Sequence, residues 1–176
     1  MSVIIWIAKL AYFMLPAYAA NMAPVLSRNF KHNIPLDFGV KFGDKRLLGS
    51  HKTLLGSFFG VIAAVITAFF QYLIFLNSGF GILDYKSWLS IGLLLGVGTI
   101  TGDAVKSFFK RRINMKPGTR WIPFDQTDFV LGALLFISLI HFPGWLESAV
   151  ILLVSALGHI VINHCAFYLG IRKEKW

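Results

Sequence analysis

The sequence predicts an all-α, polytopic membrane protein with about five transmembrane helices. Three observations carry that prediction. Of the residues, 56% are hydrophobic and only 14% are charged, where soluble domains carry about a quarter charged residues. The mean hydropathy is +0.68. Several segments approach or exceed the roughly 18 to 20 apolar residues needed to cross a bilayer core at 1.5 Å per residue. A chain of 176 residues with this patterning reads as a single integral-membrane domain over residues 1–176.

The first expected span covers residues 3–20. Its Ala17-Tyr18-Ala19 has the small-x-small form of a signal-peptidase site, but no basic side chain precedes the apolar run and Lys9 interrupts it. A retained helix fits better, with Lys9 facing a polar interior or snorkelling. Asn21 and Pro24 then read as a cap and a stop. Spans two and three cover 54–76 and 88–105; Gly92 and Gly96, then Gly98 and Gly102, form small-xxx-small pairs that admit a neighbouring helix. The fourth, 128–141, is short, and the fifth covers 146–169. In the fifth, His159 and Asn163 at i, i+4 suit interhelical hydrogen bonding, and the lone Cys165 suits packing rather than a disulfide.

The net charge of +9 would suggest nucleic acid in a soluble protein, but topology explains it more simply. Between spans one and two lie Arg28, Lys31, Lys41, Lys45, Arg46 and Lys52, and between spans three and four Lys106, Lys110, Arg111, Arg112, Lys116 and Arg120. The tail adds Arg172, Lys173 and Lys175, whereas the other two connections carry only Lys86. Positive residues favour the cytoplasmic side. The expected arrangement therefore has the N-terminus outside, the C-terminus in the cytoplasm and two long cytoplasmic loops.

Orientation does not explain the acids. On a helix continuing past Gly102, Asp103, Lys106 and Lys110 fall at i, i+3 and i+7 and share one face, with Ser107 beside it. Asp125 and Asp128, at i, i+3, stand where the fourth span begins. They suit helix capping, but with Asp103, costly within a membrane protein unless paired or functional, they also suit a divalent cation. Mg²⁺ takes one or two carboxylates plus phosphate oxygens, and Lys and Arg neutralise the remaining phosphate charge. The first loop offers GDKRLLGSHKTLLG, residues 43–56, in which Lys45, Arg46, Lys52 and Thr53 lie among Gly and Ser at the start of a helix, a phosphate-seeking run without P-loop spacing.

These residues resemble a known signature. Ser107-x-x-Lys110-Arg111, Pro117-Gly118 and Asp125-Gln126-x-Asp128 resemble the S-x-x-K-R, P-G and D-R-x-D elements of integral-membrane phosphatidate cytidylyltransferases, with Gln126 where arginine is usual. Ser50-His51-Lys52-Thr53 with Gly56 is similar to that family's S-x-K-K-T-x-x-G segment. The pattern GDxxKSFxKRR…PG…PxDQxDFVxGAL resembles the archaeal branch, and the likeness covers nearly the whole chain. It implies an Mg²⁺-dependent enzyme that transfers the cytidylyl group of CTP to an isoprenoid ether-lipid phosphate, 2,3-di-O-geranylgeranylglycerol 1-phosphate, with release of pyrophosphate. Asp125 and Asp128, joined by Asp103, would be metal ligands and, with Lys110, the catalytic set. Lys45, Arg46, Lys52, Thr53, Lys106, Ser107 and Arg111 would meet nucleotide and phosphate.

Two other readings make different demands. CDP-alcohol phosphotransferases need D-G-x-x-A-R…G-x-x-x-D-x-x-x-D, and Gly102-Asp103-Ala104 is not followed by those acids. A non-catalytic subunit or transporter would disperse its charges toward water, whereas an enzyme would gather carboxylates with Lys and Arg in a cleft.

Overall fold

One bent pair of helices opens the chain, four continuous helices follow among the described residues, and the site forms where the polar end of one meets the start of the next. The structure is a computed structural model that describes residues 2–29, 34–115, 119–168 and 170. Within them run α1 (Val3–Phe13), α2 (Leu15–Met22), a short hairpin of β1 (Lys41–Phe42) and β2 (Lys45–Arg46), α3 (Leu54–Ser78), α4 (Trp88–Arg112), α5 (Phe124–Ile137) and α6 (Trp145–Tyr168). The segments over Leu54–Ser78, Tyr85–Arg112 and Trp145–Cys165 are long and apolar enough to cross a bilayer. Lys31, the Lys116-Pro117-Gly118 element and the tail cations Arg172, Lys173 and Lys175 lie outside the described residues.

The expected first span is a bent pair of helices, α1 and the α2 segment meeting at 45°. Pro16 accounts for the break: it has no N–H to give to the Tyr12 carbonyl one turn earlier, and its ring crowds that turn. In an apolar surrounding, the freed carbonyl needs another donor. Gln71, 2% exposed in the middle of α3, supplies it: its Nε2 donates to Tyr12 O, and the Tyr12 hydroxyl donates back to Gln71 O at 3.5 Å. A single buried glutamine thus repairs a backbone defect on another helix. Gln71→Leu is expected to lower stability in detergent by about 1–2 kcal/mol, read as a fall in Tm. Pro16→Ala in the same protein should recover part of the loss by restoring the helical bond. Ala17 is fully buried after the bend, and Lys9 Nζ lies 5.5 Å from the centre of the Phe80 ring, a cation–π contact that shelters its charge.

Thr53 caps α3 by accepting from Gly56 N–H at 3.1 Å, and Gly79, at φ 63°, closes its other end. Helix α4 continues seven residues beyond the expected boundary of 105. Its polar extension contains no breaker, its last turn carries Lys110, Arg111 and Arg112 where cations suit the helix dipole, and Asn114 at φ 62° ends it. Helix α5 has 14 residues, about 21 Å against a core of about 30 Å. It starts earlier than expected, at Phe124, so Asp125 as well as Asp128 lies on the helix.

The glycines of α4 face two neighbours. Gly92 and Gly96 lie against Ala64, Val65 and Val61 of α3, whereas Gly98 and Gly102 meet the backbone of α5 at Gly132, Ala133 and Asp128. Helix α4 is consequently pinned on both sides. The core around it includes Phe13, Met14, Ile91, Leu95, Val130 and Ile137.

Candidate active site

The polar end of α4, the first turns of α5 and the segment before α3 converge on one ammonium group. Lys106 Nζ lies 3.4 Å from Asp103 Oδ1, 3.1 Å from Asp125 Oδ1 and 2.6 Å from Asp128 Oδ2. Two further lysines flank it, with Lys52 paired to Asp103 and Lys110 2.6 Å from Asp125 Oδ1. The i, i+3, i+7 spacing does what helical geometry requires: Asp103, Lys106 and Lys110 present one face, and α5 brings Asp125 and Asp128 against it. Asp125 also serves the helix start, because its Oδ2 accepts from Trp121 N–H at 2.6 Å.

This cluster lies beside a cavity of about 740 Å³, whose lining includes Lys52, Asp103, Lys106, Lys110, Arg111 and Asp125. That volume suits a bound small molecule. Thr53 and Ser107 line it too, but each hydroxyl already holds backbone: Thr53 caps α3, and Ser107 accepts from Gly49 N–H at 3.3 Å. A mainly apolar groove of about 350 Å³ runs between α4 and α5, with Phe109, Phe124 and Leu131 among its walls; Lys106 and Asp128 line it as well. The carboxylates therefore stand where a polar cavity meets an apolar surface. The gathering of charges in a cleft is the pattern expected of an enzyme and not of charges dispersed for orientation.

Two of the expected phosphate ligands are engaged elsewhere. Lys45 Nζ donates to Arg112 O at 3.0 Å, and Arg46 forms an ion pair with Asp37; neither lines the cavity. Both lie on a hairpin that turns at Gly43, φ 64°, and their side chains secure it. Arg112, read from sequence as an orienting charge, donates to Phe42 O and Arg46 O, each at 2.7 Å. Its guanidinium covers the rings of Phe42 and Phe108. The hairpin is thereby fastened to the end of α4.

The Asp37 side chain is fully buried. Burial alone would raise its pKa, but the Arg46 guanidinium and the N–H groups of Gly39 and Leu48 hold it below the ordinary carboxylate value. A carboxyl depressed on folding stabilises the fold above its unfolded pKa, and that contribution fades as pH falls through the folded value. Residues 34–48 are therefore expected to resist hydrogen exchange at neutral pH and to lose protection below about pH 4. Asp37→Asn should exchange faster at pH 7 and lose that acid dependence.

Several lining residues were not read from the sequence as site residues. Arg120, read as an orienting charge, lines the cavity, as do Asn21, Ser27 and Gln126. Of these, only Gln126, within the D-x-x-D element, carried a motif signal. His159 and Asn163 line it as well, with Asn163 Nδ2 3.2 Å from His159 Nδ1 along α6 itself. A bond between α2 and α6 joins Tyr18 and Ser155, whose hydroxyls meet at 2.7 Å.

The family model described as CarS-like CDP-archaeol synthase matches residues 2–176. The chain belongs to the CDP-archaeol synthase family. CDP-archaeol synthases of similar sequence include one from Methanococcus aeolicus, 33% identical with all of both chains covered. Another, from Archaeoglobus fulgidus, is 36% identical over 97% of this chain and 98% of that one. A solved structure described as an intramembrane enzyme for archaeal membrane lipids biosynthesis superposes with a TM-score of 0.75 at 31% identity, over 89% of this chain and 94% of that one. Family membership and several apolar helices together make the chain a multi-pass membrane enzyme.

Asp103, Asp125 and Asp128 are the side chains of this site that could hold a divalent cation, provided phosphate oxygens complete its shell. Among the described residues, no three His, Cys, Asp or Glu side chains form a metal cage by themselves. Asp103, Asp125 and Asp128 meet instead through Lys106. Mg²⁺ commonly binds through one or two carboxylates and completes its shell with water and substrate phosphates.

Proposed function

We propose that this chain transfers the cytidylyl group of CTP to 2,3-di-O-geranylgeranylglycerol 1-phosphate, forming CDP-archaeol and pyrophosphate. The observation that carries the reading is the cluster of Lys52, Lys106 and Lys110 with Asp103, Asp125 and Asp128 at the edge of the cavity. The nucleophile, a lipid phosphate oxygen, is already anionic at neutral pH, so no Ser, Cys or His nucleophile is needed. That oxygen attacks the α-phosphorus of CTP and forms a new P–O bond. The bond from the α-phosphorus to the α–β bridging oxygen breaks, and pyrophosphate leaves with the electron pair.

What the protein must do is hold two mutually repelling anions in line and absorb charge on the leaving group. Lys52, Lys106, Lys110, Arg111 and Arg120 stand around the cavity to do so. Asp103, Asp125 and Asp128 would hold Mg²⁺, which when bound supplies further neutralisation of the phosphates. The excess of Lys and Arg in the first loop and at the end of α4 favours a cytoplasmic cavity, with the N-terminus outside and the C-terminus inside. The apolar groove beside Lys106 and Asp128 supports a reaction between a water-soluble nucleotide and a membrane-anchored phosphate.

The test is to incubate purified protein with CTP, Mg²⁺ and the isoprenoid ether phosphate, then to measure CDP-lipid and pyrophosphate. Equimolar formation of both is expected. Product obtained only from a CDP-lipid plus an alcohol would overturn the assignment.

A further inference from the structure

We infer that Lys106 is a resident cation which a divalent metal must displace, and that the nucleotide phosphates receive the displaced ammonium. This rests on the proposed metal role of the three carboxylates. Lys52 and Lys110 each reach one member of the trio, whereas Lys106 reaches all three, at 3.4, 3.1 and 2.6 Å. An ammonium with three donors is matched there by three carboxylate acceptors. Without a metal, the arrangement neutralises acids that would otherwise repel one another at the membrane surface.

A divalent cation seeks the same oxygens. Mg²⁺ requires them at about 2.0–2.1 Å, and an ammonium left in place among them would meet a like, double charge within a few ångströms. The two occupants therefore exclude each other. Lysine is suited to yielding, since its charge sits on a flexible four-carbon stem. The destination is close at hand, because Lys106 also lines the cavity. Nucleotide phosphates bound there give the ammonium a new partner, so metal and nucleotide each strengthen the binding of the other, as linkage requires.

The test measures free Mn²⁺ by electron paramagnetic resonance with the full chain in detergent, with and without the non-hydrolysable nucleotide α,β-methylene-CTP. Lys106→Met is expected to bind Mn²⁺ alone at least about tenfold more tightly than wild type, while turnover falls. The gain in Mn²⁺ affinity that the nucleotide produces in wild type should shrink in the variant. Equal or weaker Mn²⁺ binding by folded Lys106→Met overturns the inference and leaves the metal reading standing. Absence of Mn²⁺ binding in both proteins, with nucleotide present, overturns the metal reading and the inference with it. A wild-type measurement covers the case of a variant that does not fold: amine labelling of Lys106, followed by mass spectrometry, should accelerate when saturating Mg²⁺ is added without nucleotide, since the displaced ammonium then has no phosphate to receive it. An unchanged or slower rate counts against displacement.

Discussion

Asp125→Ala and Asp128→Ala are each expected to reduce CDP-lipid formation at least about a hundredfold, the loss typical of removing a charge-organising group from a reaction centre. Expression and helix content should be retained, because two carboxylates remain around Lys106 in either variant. The two should nevertheless differ. Asp125 Oδ2 also accepts from Trp121 N–H, so Asp125→Ala loosens the entry to α5 and should lower Tm further than Asp128→Ala does. Asp125→Asn keeps an acceptor for that N–H but loses the charge, and should recover Tm without recovering turnover. The measurements are pyrophosphate release, circular dichroism and thermal unfolding in detergent. Wild-type-like pyrophosphate release by the alanine variants would remove these carboxylates from the reaction.

Parts of the site that depend on spacing within one helix were readable from the sequence, and parts that depend on where the chain returns were not. Asp103, Lys106 and Lys110 share a face because 3.6 residues make a turn, and Asp125 and Asp128 stay one turn apart wherever α5 is placed. The pairing of Arg46 with Asp37 depends on a hairpin of two-residue strands, too short to show alternation, so Arg46 read as a phosphate ligand. Arg112 was hidden for a related reason: its partners are main-chain carbonyls of Phe42 and Arg46, about seventy positions away, and carbonyls leave no mark in a sequence. Three of the five expected spans were legible by composition as helices long and apolar enough to cross a bilayer, but the bend in the first was not drawn from Pro16. Its compensating donor, Gln71, lies on a different helix, and a lone glutamine in an apolar run does not name its partner.

Gly102→Ala is expected to disable catalysis far more than it destabilises the fold. A Cβ at Gly102 would overlap the Asp128 carbonyl oxygen and lie 3.1 Å from Gly132 Cα, while one at Gly132 would overlap the Gly98 carbonyl oxygen. These are backbone-to-backbone contacts, so no side-chain rotation relieves them and α5 must move. Such overpacking costs about 1–3 kcal/mol, a tolerable loss. Yet α5 carries Asp125 and Asp128, and a displacement of about 1 Å in a catalytic constellation can cost a hundredfold in rate. Gly96 provides the contrast, because the neighbours that its Cβ would meet are Ala64 and Val61 of α3, which carries neither aspartate. Gly96→Ala should therefore lower Tm by a similar amount and leave turnover per folded molecule near that of wild type. Gly158→Ala, with nothing within 4 Å of the added carbon, should change neither. If Gly102→Ala and Gly96→Ala lost activity in equal proportion to their loss of stability, the glycines would be packing devices alone. A selective loss at Gly102 would mean that the close approach of α4 and α5 sets the distance between Lys106 and its carboxylates.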